Sequence, residues 1–168
     1  MSEQKRYEEL LALAIEYARS GEKEQLQKML EYRLPLNLQD YKGNTLLMLA
    51  VYNDHLETAK MLLEFGADVD KRNDRGQTPL GGAAFKGYCN MIELLLGYGA
   101  HIDADQGGGK TPLFFAALFG RKDAYQLLID RGANKRYQIS WPIPWYNRRL
   151  YPCGHQSCQI MRFLTCKH

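Results

Sequence analysis

The stretch Asp74-Arg75-Gly76-Gln77-Thr78-Pro79-Leu80-Gly81-Gly82-Ala83-Ala84 decides the fold of this 168-residue chain. Asp74-Arg75-Gly76 supplies a tight turn, and Thr78-Pro79 starts a helix. Proline suits a first helical position, where its missing N–H would have no intrahelical partner anyway. Ala83 and Ala84 are small enough for a neighbouring helix to approach closely, and this short helix stops near Gly87. A second helix follows, in which Met91, Ile92, Leu94, Leu95 and Leu96 form an apolar face at helical spacing. Gly99 then ends it in the left-handed conformation that glycine adopts cheaply. Such a pair of helices cannot bury its apolar face alone.

The missing partner is another copy of the same unit. Gly43-Asn44-Thr45 recurs as Gly76-Gln77-Thr78 and as Gly109-Lys110-Thr111, each copy 33 residues after the last. Past each Thr, at a constant interval, comes Gly-Ala: Gly66-Ala67, Gly99-Ala100 and Gly132-Ala133. Apolar runs at Met61 to Leu63, Leu94 to Leu96 and Leu127 to Ile129 precede them. A fixed period of this length is the mark of a stacked array.

These residues resemble the ankyrin repeat, whose consensus runs Asp-x-x-Gly-x-Thr-Pro-Leu-His, then Ala-Ala, Gly, Leu-Leu and Gly-Ala. The resemblance covers residues 7–138 and divides into units at 7–39, 40–72, 73–105 and 106–138. It implies an all-α solenoid of about four helix-turn-helix units joined by β-hairpin-like loops, with residues 139–168 as an irregular tail. The first unit is degenerate: Ala12 stands in the place of Thr, and Arg33-Leu34 replaces Gly-Ala. Gly21 nevertheless lies one period before Asp54, two before Gly87 and three before Gly120, and Met29-Leu30 keeps the apolar pair. The glutamates and lysines of this unit suit the solvated outer face of an end cap. The family's His after Thr-Pro-Leu is Met48, Gly81 and Phe114 here, so its hydrogen-bond network is expected to be missing and the coupling between units weaker.

Composition narrows the function. No apolar run is long enough to span a bilayer, and Met1 to Glu9 is charged where a secretory signal would be apolar, so a protein of the cytoplasm, or of a host cell's cytosol if delivered there, with no membrane role is expected. The net charge of +3 is local. Residues 139–168 carry Arg148, Arg149, Arg162 and Lys167 with no Asp or Glu. The array itself is therefore near neutral, which argues against nucleic acid as a partner.

Sharper chemical readings have plainer competitors. Ala104 to Thr111, with Gly107-Gly108-Gly109-Lys110-Thr111, fits a loose phosphate-loop pattern. Gly109 and Thr111 nonetheless sit where Gly43 and Thr45 do, Pro112 follows, and no buried strand precedes. His55 falls where ankyrin units carry a Gly-His pair opening the second helix, and His101 follows the Gly-Ala turn; both read as structural or exposed. Glu57, Glu64 and Glu93 fall on outer faces, and Cys89 reads as packing. No catalytic set emerges, and neither an enzyme nor a cofactor is expected.

The tail holds both Trp residues and, in order, Cys153, His155, Cys158, Cys166 and His168. Pro152-Cys153-Gly154-His155-Gln156-Ser157-Cys158 looks like the middle of a RING finger, a zinc-binding ubiquitin-ligase family, but lacks the flanking Cys-x-x-Cys pairs. A zinc site there, giving a ligase-like module targeted by the repeats, is the alternative function. The plainer readings are a cap, with Trp141-Pro142-Ile143-Pro144-Trp145 folded over the fourth unit, an irregular extension, or an altered reading frame.

The family resemblance also implies which positions line the concave groove. They are Tyr41, Lys42, Asn44, Tyr52 and Asn53; then Asp74, Arg75, Gln77, Phe85 and Lys86; then Gly107, Gly108, Lys110, Leu118 and Phe119. Folding requires no large apolar residue there, yet Tyr41, Tyr52, Phe85 and Phe119 are aromatic, a class enriched at binding hot spots. Lys42, Arg75, Lys86 and Lys110 give the groove a basic rim. The expectation is a monomeric, non-enzymatic adaptor or inhibitor that binds an acidic or amphipathic segment of a partner protein. The plainer reading of Phe85 and Phe119 is packing between neighbouring helices.

Overall fold

The computed structural model describes residues 3–135. The readings of the tail, both the Trp141 to Trp145 cap and the zinc set Cys153, His155, Cys158, Cys166 and His168, lie outside the described residues.

Among the described residues the architecture is helical. The helices run α1 (Glu3–Ser20), α2 (Lys23–Glu31), α3 (Leu46–Tyr52), α4 (Leu56–Glu64), α5 (Pro79–Lys86), α6 (Cys89–Gly97), α7 (Pro112–Leu118) and α8 (Lys122–Asp130). Loops of two or three residues join each odd helix to the even one after it, which folds the two back on each other. The inner helices α1, α3, α5 and α7 pack closely on one another in series, and α2, α4, α6 and α8 form a looser outer layer. Between pairs the chain makes tight turns, not strands. The backbone N–H groups of Asp40, Asn73 and Gln106 donate to the carbonyls of Asn44, Gln77 and Lys110 at 2.9, 3.0 and 2.7 Å.

Local chemistry fixes each helix start. Thr45, Thr78 and Thr111 take extended backbone, and their hydroxyls accept the N–H groups of Met48, Gly81 and Phe114 at 3.2–3.3 Å. These are side-chain caps, and all three threonines are buried. The core runs through every pair, from Ala14, Ala18 and Leu26 through Leu46, Leu62, Leu80, Ile92 and Leu95 to Leu113 and Leu128. No buried side-chain N or O among the described residues lacks a partner.

Neighbouring repeats are stitched by two regular hydrogen bonds. Asn37, Asp70 and Asp103 accept the backbone N–H groups of Asp68, His101 and Asn134, each 31 residues further on. At the inner helix ends, His55 Nε2 donates to the Arg19 carbonyl and Arg121 Nε to that of Phe85, both at 3.0 Å. The His55 ring also packs on Gly21. This residue is structural, as expected.

The first repeat departs from the other three in two respects. No turn opens the first unit, because Glu8, Glu9, Leu10, Leu11 and Ala12 are all good helix formers and α1 runs unbroken through them. The unit's exposed surface also mixes apolar side chains with charges, since Tyr7, Leu10 and Leu13 on α1 are exposed.

The missing histidines have a second outcome. At Gly81 the vacancy is filled from the next repeat by the buried carboxamide of Gln106. Its Oε1 accepts the Thr78 N–H at 2.6 Å, and its Nε2 donates to Thr78 Oγ1 at 2.7 Å and to the Ala104 carbonyl at 3.1 Å. Coupling across this junction is therefore rebuilt with a different residue. Gln106 is free to turn inward because Asp105 takes over the turn, accepting the N–H groups of Gly107 and Gly109, both at 2.9 Å. In the two preceding turns that task falls to Asp40 and Asn73, one register place later.

Candidate partner-binding groove

The hairpin tips and the C-terminal ends of the inner helices face one another across an open cleft of about 280 Å³. Lys42, Asn44, Arg75 and Gln77 reach it from the tips, Tyr52 and Phe85 from α3 and α5, and Asn73 forms part of its floor. All but Asn73 were expected from the sequence. Asn73 precedes the turn and its Oδ1 serves its own loop as Asp40 does, but its Nδ2, which an aspartate lacks, reaches across to Asn44.

A polar ladder shapes the floor. Asn73 Nδ2 donates to Asn44 Oδ1 at 2.9 Å and lies 3.3 Å from Gln77 Oε1, which also accepts the Tyr52 hydroxyl at 3.2 Å. The Tyr52 ring lies against Gly82 of α5, where even a methyl group would crowd it. Burial raises the Tyr52 phenol above its ordinary value, against the opposing pull of the nearby Arg75 charge. It is thus a neutral donor, held in place by the next repeat.

An aromatic cluster continues from this cleft. Phe85 meets Phe119 edge to face at 4.3 Å, and Phe119 stacks on Phe115 at 6.5 Å. Phe119 stays 45% exposed and Leu118 54%, so packing between repeats and an open apolar surface coexist at the same side chains.

The other expected groove residues are placed differently. Tyr41 is exposed and carries the Lys42 ammonium 5.0 Å above its ring. Asn53 is turned back, its Nδ2 donating to the Leu49 carbonyl at 2.8 Å, which ends α3. Lys86 lines a separate cleft with Arg121, Lys122 and Asp123. Asp74 is exposed, its N–H donating to the Lys42 carbonyl at 3.2 Å. Gly107, Gly108 and Lys110 are exposed at the fourth tip.

That tip does not make a phosphate site. Two of the N–H groups that would cradle an anion are held by the Asp105 carboxylate, and the Thr111 hydroxyl caps α7. Cys89 has its thiol pushed up, chiefly by burial and further by Asp123 and Glu93, which opposes formation of a nucleophilic thiolate. Glu57, Glu64 and Glu93 are exposed, and Glu93 accepts Arg131 from the next repeat at 2.7 Å. Among the described residues no group of three His, Cys, Asp or Glu is placed to hold a metal ion, and no helix is long and apolar enough to cross a membrane.

Comparison with known sequences agrees with this geometry. The family described as ankyrin repeats in three copies matches residues 11–106 and again 73–139. The chain belongs to the ankyrin repeat family. An ankyrin repeat protein of Pseudomonas aeruginosa is 43% identical over 54 residues, 32% of this chain and 32% of that protein. The match thus spans about a third of the length of this curated relative. Ankyrin repeats are in general protein-interaction modules and typically carry no catalytic activity, which makes their surfaces, not a reaction centre, the place to look for function.

Proposed function

We propose that this ankyrin array is a non-enzymatic adaptor or inhibitor whose concave groove holds a segment of a partner protein. The observation that carries the reading is the joining of Lys42 and Arg75 with Tyr52 and Phe85 around one cleft. Two cations beside two rings suit a segment that offers a carboxylate next to an apolar side chain. The rim charges govern association rate and selectivity, while the rings supply most of the affinity. A floor fixed by hydrogen bonds between side chains loses little entropy on binding. The protein acts on this reading as a monomer in the cytoplasm, without cofactor, nucleic acid or membrane.

The test is affinity capture from a lysate with the full-length chain and with a Phe85→Ala, Phe119→Ala variant. The variant is expected to keep its helical spectrum and lose the captured protein. Capture that survives both substitutions in a folded variant refutes the groove as the binding surface.

A further inference from the structure

The N-terminal end of the array has a second surface built for contact. α1 begins well before the place where the inner helices of the other repeats begin, and its extra turns lie beside the end of α2. Between them opens an apolar cleft of about 300 Å³ lined by Tyr7, Leu10, Met29, Tyr32, Arg33 and Leu34. Tyr32 is 89% exposed, Tyr7 49% and Leu10 48%. It shares no residue with the concave groove.

Arg33 is the one charge in its lining, and it stands where a side chain is costly. Residues 66, 99 and 132, at the same register place, are glycines with φ of 91°, 85° and 95°, and Arg33 holds φ 65°. A left-handed backbone is unfavourable for a residue bearing a Cβ. Folding alone would select glycine, as in the other three repeats. Among the described residues the guanidinium makes no hydrogen bond or ion pair. A strained position thus presents an unpaired cation at the rim of an apolar cleft.

We propose that this cleft docks a segment of a partner protein that inserts an aromatic or aliphatic side chain between Tyr7, Leu10 and Tyr32 and places a neighbouring carboxylate on Arg33. Charge selects this occupant. Residues 136–168 of the chain contain no Asp or Glu, so the tail has no side-chain carboxylate to offer. A second copy docked cleft to cleft about a two-fold axis would bring two Arg33 side chains together, an unfavourable juxtaposition of like charge.

The chemistry can be probed with N-acetylphenylalanine, which carries ring and carboxylate, against its amide, which carries the ring alone. Both are titrated into the ¹⁵N-labelled full-length chain. The acid is expected to shift the amide signals of Tyr7, Leu10, Tyr32 and Arg33 at concentrations about threefold lower than the amide does, the range of an exposed ion pair. In Arg33→Gly the two compounds should become equivalent, while the melting temperature rises because glycine relieves the backbone. That gain separates loss of the cation from loss of the fold.

Three results would overturn the proposal. One is equal response to acid and amide in the unmodified chain, or shifts confined to the concave groove. Another is a concentration-dependent dimer in sedimentation that Leu10→Glu disperses, which makes a second copy the occupant. The third is a red shift of tryptophan emission in Leu10→Glu, since both tryptophans, Trp141 and Trp145, lie in the tail and would be leaving this cleft. None of these depends on Phe85 or Phe119, so the outcome is independent of the groove reading.

Discussion

Gly81 sits inside α5, where glycine is normally about 1 kcal/mol worse than alanine. Here the sign reverses. A methyl group at residue 81 would overlap the Gln106 carboxamide, and displacing it leaves the buried Thr78 N–H without its acceptor, a loss of about 1–3 kcal/mol. Chemical denaturation should therefore find Gly81→Ala less stable than the parent. Gly81→Ala made on a Gln106→Ala background should regain the helix-propensity advantage. Equal effects in both backgrounds would show that Gln106 does not hold this junction. The absence of the family histidine was legible in the sequence, but its replacement was not. Gln106 precedes a turn, a place read as backbone, and nothing local says that the turn has shifted to Asp105. The signal available was the Gly81-Gly82 pair itself, a vacancy on a helix that packs against neighbours. Asp40 supplies the matching electrostatic case. Burial alone would raise its carboxyl, but the Asn44 side chain, the backbone N–H groups of Asn44 and Lys42, and the Arg19 guanidinium together lower it below the ordinary 3.8. A lowered carboxylate contributes stability above its unfolded pKa, and that contribution is lost as pH falls through the folded value. The melting temperature of the parent should drop relative to Asp40→Asn below pH of about 4, because Asn73 shows that an amide accepts the same two N–H groups.

The helices themselves were readable because their punctuation repeats. Threonine caps, apolar faces and helix-ending glycines recur at one period, so three copies speak for each boundary. The degenerate first copy offers no such punctuation, so its helix start is not marked by the register, and Glu8 to Ala12 follow their own propensity within α1. The left-handed positions show how far the register reaches. One or two residues past the inner helices stand Gly21, Asp54, Gly87 and Gly120, with φ of 83°, 61°, 86° and 68°. Asp54 keeps this geometry at a conformational cost, although aspartate bears it better than most residues. Replacing it with glycine should raise stability by up to about 1 kcal/mol. Gly87→Ala should do the opposite, since its φ is left-handed and an added Cβ would sit 2.9 Å from Arg121 Cδ, a side chain already engaged with the Phe85 carbonyl. Urea midpoints of the two variants should move in opposite directions. Movement the same way would mean that these helix ends are set by packing and not by backbone conformation.

At the scale of the whole molecule, each repeat is supported by its neighbours, so a contact between repeats can serve folding and recognition together. Phe85 and Phe119 are the test of that overlap, because their rings touch across the junction of the third and fourth repeats while both retain accessible surface. Sequence marked both as aromatic where the fold needs no aromatic residue, but could not show that they meet, since each alone fits either role. An edge-to-face pair contributes about 0.5–1.5 kcal/mol beyond the area it buries. A double-mutant cycle of Phe85→Ala and Phe119→Ala, followed by denaturation, should return a coupling of that size. The same cycle followed by partner affinity should return losses of about 2 kcal/mol or more for each residue if they are hot spots. The two cycles separate the readings because stability and binding are measured on the same four proteins. Coupling in stability with little change in affinity would reduce the pair to a clamp between repeats. Large affinity losses that exceed the coupling would mean that the clamp also holds the rings in the geometry a partner meets.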